Sequence, residues 1–237
     1  MRSGRRSHLF TNTAMNRRAT AIAPHQWGFK PDFIRRSFVA RAFMPVENVQ
    51  RIPDRKKHVR TCMHKFRLGP AGKNEPIVYG AQGPAYSHLR ISEWIAYMKE
   101  NGIRRICCLL HSDQLKSYKE DLLEAYGREF GIQNVCWAPI PDYHLCDVGL
   151  LKERILPFLK ESDEKGEPVV VHCQGGRGRA GHVLAAWLVA GRGFTVEDAI
   201  AGVKEMGRNP HEAADWGNAQ PEDVYTLLTA CQEGPEV

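Results

Sequence analysis

The chain has 237 residues, 43% hydrophobic and 25% charged, which suits one sizeable folded domain with an appendage. That composition excludes a disordered or fibrous polypeptide, and the longest strongly apolar stretch, around 183–190, is too short to cross a bilayer. The net charge of +6 is unevenly spread: residues 1–60 hold 14 Lys and Arg against 3 Asp and Glu, whereas 61–237 hold 19 against 24. The basicity therefore belongs to an N-terminal arm, which suits acidic partners or anionic surfaces, and no dedicated nucleic-acid module is evident. The seven cysteines are dispersed, with no CxxC pair. They argue against a disulfide framework or a zinc site and fit a reducing cytoplasm.

Residues 1–70 carry little periodicity and read as a basic, largely irregular arm, with Trp27, Phe29 and Phe33 as candidates for partial packing. Its first thirty residues are Arg-rich and lack acid, a composition shared with organellar transit peptides, but the preferred reading is a solvated basic extension or a later start at Met15. No apolar segment of the signal-peptide kind follows the early arginines.

From about residue 75 the pattern becomes regular. EPIVYGA reads as a strand and ISEWIAYMKENG as an amphipathic helix closed by Gly102. IRRICCLL is a second strand, followed by a helix from Ser112 and Asp113 to about Phe130. NVCWAPI is a third strand, and VGLLKERILPFLKES a helix with a kink or restart at Pro157. VVVHC is a fourth strand, and AGHVLAAWLVAG a helix ended by Gly191. Two more helices follow, TVEDAIAGVKEMG capped by Thr195 and PEDVYTLLTACQ opened by Pro221. Alternating strands and helices predict an α/β domain over 71–237, with a mainly parallel central sheet and helices on both faces. Ligands of such sheets bind beyond the carboxyl ends of the strands.

The segment His172-Cys173-Gln174-Gly175-Gly176-Arg177-Gly178-Arg179-Ala180-Gly181 lies at such an end. To bind and attack a phosphate dianion, a site needs a sulfur in its thiolate form, favoured by a helix N-terminus and a nearby guanidinium. It also needs converging backbone N–H groups, which glycine-rich turns supply, and an arginine to hold two phosphate oxygens. One cysteine, a tight five-residue loop and one arginine at a helix start meet these demands. The same residues spell a GxGxxG dinucleotide motif from Gly176 to Gly181. That motif normally opens the first βαβ unit; here it follows most of the strands, and Glu197 and Asp198 fall in a helix instead of at a strand end.

His172, Cys173, Gly176 and Arg179 fill the HCxxGxxR pattern, and the segment resembles the signature of the cysteine-dependent protein tyrosine and dual-specificity phosphatases. The resemblance covers roughly 75–231 and implies their fold. It implies metal-independent phosphomonoester hydrolysis through a phosphocysteine, without a cofactor, on phosphoprotein substrates. Cys173 is then the nucleophile and Arg179 the phosphate-gripping residue, with Gln174, Gly175, Gly176, Arg177 and Gly178 completing the phosphate cradle. The family's general acid precedes the cysteine by about thirty residues. Asp142 in PIPD stands 31 residues before it, and Asp147 at 26 is the alternative. His172 is expected to orient the loop, His182 to pack or cap, and Gln220, shortly before the last helix, to help place water. Arg177 adds charge at the loop mouth, which suits highly anionic esters such as phosphoinositides. One departure is Ala180, where the family usually places Ser or Thr to help the thiolate leave. That residue keeps a phosphate-binding pseudophosphatase in view and predicts a slowed second step.

Overall fold

The computed structural model describes residues 65–232. The aromatic residues and the alternative start of the basic arm lie outside that range. Residues 65–70, the last of the expected arm, form a helical turn at Lys65–Arg67 and a short edge strand, β1 (Gly69–Pro70). Strands β2 (Val78–Gln82), β3 (Arg105–Leu110), β4 (Val135–Ile140) and β5 (Val169–Cys173) follow. The sheet order is β1-β2-β5-β3-β4, with β1 antiparallel and every other pairing parallel. The fold is therefore mixed α/β with a mostly parallel sheet, as expected.

Strand β5 lies between β2 and β3 and is buried on both faces, which explains its unbroken VVV run. Successive side chains alternate between two cores. Val169, Val171 and Cys173 face one core, and Val170 faces the other. The first core is covered by α5 (Leu156–Glu164), α6 (Gly178–Arg192), α7 (Val196–Glu205) and α9 (Pro221–Thr229). The second is covered by α1 (His88–Glu100) and α3 (Leu122–Phe130). Short helices α2 (Ser112–Leu115), α4 (Val148–Leu150) and α8 (Glu212–Asp215) sit in the connections.

Two element boundaries differ from expectation, and a third takes a specific form. The helix expected from Ser112 to Phe130 is two helices. The α2 turn is capped by His111, and α3 starts anew at Asp121, whose carboxylate accepts from the N–H groups of Leu123 (2.9 Å) and Glu124 (3.0 Å). Between them the chain bonds to the β2–α1 loop: the Tyr118 hydroxyl donates to the Pro84 carbonyl (2.9 Å), and the Lys119 N–H to Tyr86 (2.9 Å). Those bonds displace the helical ladder. The interruption expected at Pro157 takes the form of a π segment, Leu151–Ile155, ahead of the restarted helix, because proline removes one N–H from the ladder. Finally, α6 runs through Gly191 and stops at Gly193, which has φ 68°. At Gly191 a Cβ would press into the Trp187 ring, so this glycine marks a close approach instead of a helix end.

Candidate active site

The carboxyl ends of β2, β3, β4 and β5 supply the site's loops. Cys173 closes β5, and the chain turns through Gln174–Arg177 into the N-terminus of α6. The first helical bond there joins the Gly181 N–H to the Arg177 carbonyl at 2.8 Å. The preceding N–H groups of the first turn have no intrahelical acceptor and form a natural anion seat. Gly176 makes the tight turn possible, with φ 68° and no room for a Cβ, which would fall within 2.6 Å of the Ala81 carbonyl.

Arg208, three residues past the end of α7, holds the loop from beneath. Its guanidinium donates to the carbonyls of Gly176 (2.5 Å) and Gly80 (2.7 Å), and at longer range to Arg67 and Gly69. Burial pushes its pKa down to about 10. The Gly83 N–H donates to the Cys173 carbonyl at 2.8 Å, tying the start of the loop to β2.

Arg179 stands on the first turn of α6 and turns toward the loop after β4. Its Nη2 pairs with Asp142 Oδ1 at 2.6 Å, and its Nη1 donates to the Ile140 carbonyl at 3.0 Å and to Gln114 Oε1 at 2.6 Å. Gln114 Nε2 in turn donates to Asp142 Oδ2 at 3.1 Å. Arg179 is 3% and Cys173 2% exposed, whereas the Asp142 carboxylate is 40% exposed. The Asp142 carboxylate therefore lies on the solvent side of the buried guanidinium. Asp147 is engaged elsewhere: its Oδ1 caps α4 by accepting the Leu150 N–H at 3.0 Å.

The two histidines flanking the loop are buried. His172 points to the face opposite Cys173 and packs on Trp94 (5.1 Å) and Tyr126 (5.6 Å). Its pKa is pushed down to about 3, first by desolvation. His182 is lowered to about 3 by the same cause and by Arg179. Its Nε2 accepts the Cys146 N–H at 3.2 Å, which links α6 to the loop carrying Asp142. The far side of that loop is fixed by Tyr143, whose ring meets Trp216 at 4.5 Å and whose carbonyl accepts from Asn218 at 3.1 Å.

Residues 85–221, more than half of the chain, match the family model described as "Swiss Army Knife protein, DSP-PTPase phosphatase domain". The chain belongs to the DSP-PTPase family of phosphatases. This phosphatase-family chain is 29% identical over 83 residues to the 123R protein of Invertebrate iridescent virus 6, which carries a tyrosine phosphatase name. It is also 29% identical over 69 residues to human dual specificity protein phosphatase 5. The aligned segments cover 35% and 29% of this chain, and 58% and 18% of the relatives' own lengths. Among solved structures, a mutant form of Tk-PTP has the same fold, with a TM-score of 0.52 at 24% identity over 67% of this chain and 91% of that one.

Within the family framework, the structure brings Cys173, Arg179 and Asp142 to one edge of the sheet. Arg177 is exposed at the loop mouth. Gln220 stands exposed at the start of α9, where its N–H donates to Asp223 at 2.7 Å, away from the network around Arg179. Two residues of the site have no counterpart among the sequence-based expectations, Gln114 and the buried role of Arg208. The only local signals were a His-x-x-Gln cap at 111–114 and an arginine directly after the helix-ending Gly207.

Proposed function

We propose that the protein is a metal-independent phosphomonoester hydrolase of the protein tyrosine or dual-specificity type, acting through a phosphocysteine. The observation that carries this reading is the buried Arg179 guanidinium, paired at 2.6 Å with Asp142 and set on the helix that follows Cys173. A substrate phosphate takes the place of the carboxylate on Arg179 and sits against the N–H groups of 174–179. The Cys173 thiolate attacks phosphorus. The P–O bond to the leaving group breaks, and protonated Asp142 gives its proton to the departing oxygen. Water then attacks the phosphocysteine and loses a proton to Asp142, and the S–P bond breaks to release phosphate and the thiolate. Asp142 is favoured over Asp147 as the acid because the latter's carboxylate is held by its helix cap. His172, facing the opposite core, shapes the loop and takes no part in proton transfer.

Phosphoprotein substrates are the leading class. The exposed Arg177 beside the cradle supports phosphoinositides or other highly anionic esters as the second. The deciding experiment measures hydrolysis of para-nitrophenyl phosphate by wild type, Cys173→Ser and Asp142→Ala, with and without chelator. Turnover that depends on Cys173 and is indifferent to chelator is expected. Activity retained by Cys173→Ser, or a metal requirement, overturns the reading. A phosphotyrosine peptide and a phosphoinositide, each compared in wild type and Arg177→Ala, separate the two substrate classes.

A further inference from the structure

We infer that Gln114 is a positioning residue that couples the phosphate-gripping arginine to the general acid; this rests on the phosphatase reading above. Three side chains close a ring: Arg179 Nη1 to Gln114 Oε1 at 2.6 Å, Gln114 Nε2 to Asp142 Oδ2 at 3.1 Å, and Asp142 Oδ1 to Arg179 Nη2 at 2.6 Å. An amide is a neutral group that serves a cation and a carboxylate at once. Its oxygen faces donors only, Arg179 and the His111 N–H (3.3 Å), and its nitrogen faces a carboxylate. Exchanging O and N would set donor against donor and acceptor against acceptor, so the network fixes the orientation.

Capping alone does not account for this side chain. The contact with the His111 N–H is a local cap, but the two shorter contacts reach residues 65 and 28 positions away. When a phosphate occupies Arg179 and displaces Asp142, the Nε2 donor remains beside the carboxyl and keeps it within reach of the leaving oxygen. Gln114 thereby holds the acid in place in the step in which the arginine no longer can.

Glutamate and leucine at this position separate the two functions of the amide. Gln114→Glu keeps an acceptor for Arg179 but sets a second carboxylate against Asp142. Gln114→Leu removes both contacts at similar volume. The charged group on the Asp142 carboxyl is Arg179 from α6; nearby ionisable groups are His144, whose Nδ1 meets the Asp142 backbone carbonyl at 2.7 Å, and the His111–Asp113 pair at the α2 turn that carries Gln114, all retained in both variants.

The test uses the full chain and two substrates, para-nitrophenyl phosphate and phenyl phosphate, whose leaving groups need the acid weakly and strongly. The readouts are kcat/KM against pH and melting temperature. In Gln114→Glu the basic limb of the profile should move up by about one pH unit, because two adjacent carboxyls share a proton more tenaciously than one. In Gln114→Leu, phenyl phosphate turnover should fall by about tenfold more than para-nitrophenyl phosphate turnover. Folded variants with an unmoved limb and equal losses on both substrates overturn the assignment while leaving the phosphatase reading intact. Wild type that lacks Cys173-dependent turnover overturns the reading and the Gln114 assignment with it.

Discussion

The two buried histidines that bracket the loop after β5 make acid stability a direct probe of its construction. Both His172 and His182 are lowered to about 3, chiefly by desolvation, whereas a histidine in the unfolded chain titrates near its ordinary value of 6.5. As pH falls below that ordinary value, the unfolded state takes up two protons that the folded state refuses. The stability these groups confer is thus complete above the ordinary histidine range and is lost as pH falls toward the folded values. Each histidine costs about 2 kcal/mol between pH 7 and pH 5, so the pair removes about 4 kcal/mol. Such a loss is a large fraction of a domain's total stability. Urea unfolding across this range measures it, and Gln at position 182 isolates one half. The amide oxygen of His182→Gln can still accept the Cys146 N–H but does not titrate. The variant should therefore lose one proton's worth of slope, about 1.4 kcal/mol per pH unit. Wild-type stability that changes by less than about 1 kcal/mol over the interval, or a variant with the wild-type slope, would refute the argument.

Removing the Arg208 guanidinium with Arg208→Met strands the Gly80 and Gly176 carbonyls; chemical denaturation should show a loss of about 3 kcal/mol, and calorimetry weakened vanadate binding. Asp142→Asn removes the carboxylate that occupies Arg179, so inorganic phosphate should bind several-fold more tightly by calorimetry while phenyl phosphate turnover drops by about two orders of magnitude. Ala180 is fully buried on the first turn of α6, and Ala180→Ser should speed phosphocysteine breakdown in rapid-quench kinetics without altering the first transfer. Equal hydrolysis rates in the two proteins would remove the role proposed for that missing hydroxyl.

How far the sequence could be read depended on whether a residue's partners were local. The VVVHC strand and the loop after it were legible because burial on both faces needs an unbroken apolar run, and the turn at Gly176 needs glycine. The cap of α7 at Thr195, which accepts the Asp198 N–H at 3.1 Å, was equally local. The split between α2 and α3 was not, because it is imposed by carbonyls of Pro84 and Tyr86 more than thirty positions upstream. Spacing alone left Asp142 and Asp147 both open. Their partners differ: Arg179 and Gln114 for the first, a helix N-terminus for the second. Gln114 and Arg208 act through contacts spanning 28 to 141 residues, and no periodic pattern records such contacts. Fold class follows from hydrophobic period; the arrangement of a site follows from which loops the parallel sheet gathers at its carboxyl edge.

In the proposed reaction, Cys173 carries the phosphoryl group. Rapid mixing of the full chain with an aryl phosphate, followed by acid quench and intact mass analysis, tests it directly. Wild type should gain the mass of one phosphoryl group, mapped to the peptide containing Cys173, and Cys173→Ser should gain none and turn nothing over. A Cys173→Ser protein that still hydrolyses the ester, or a phosphoryl group found on another residue, would contradict the account.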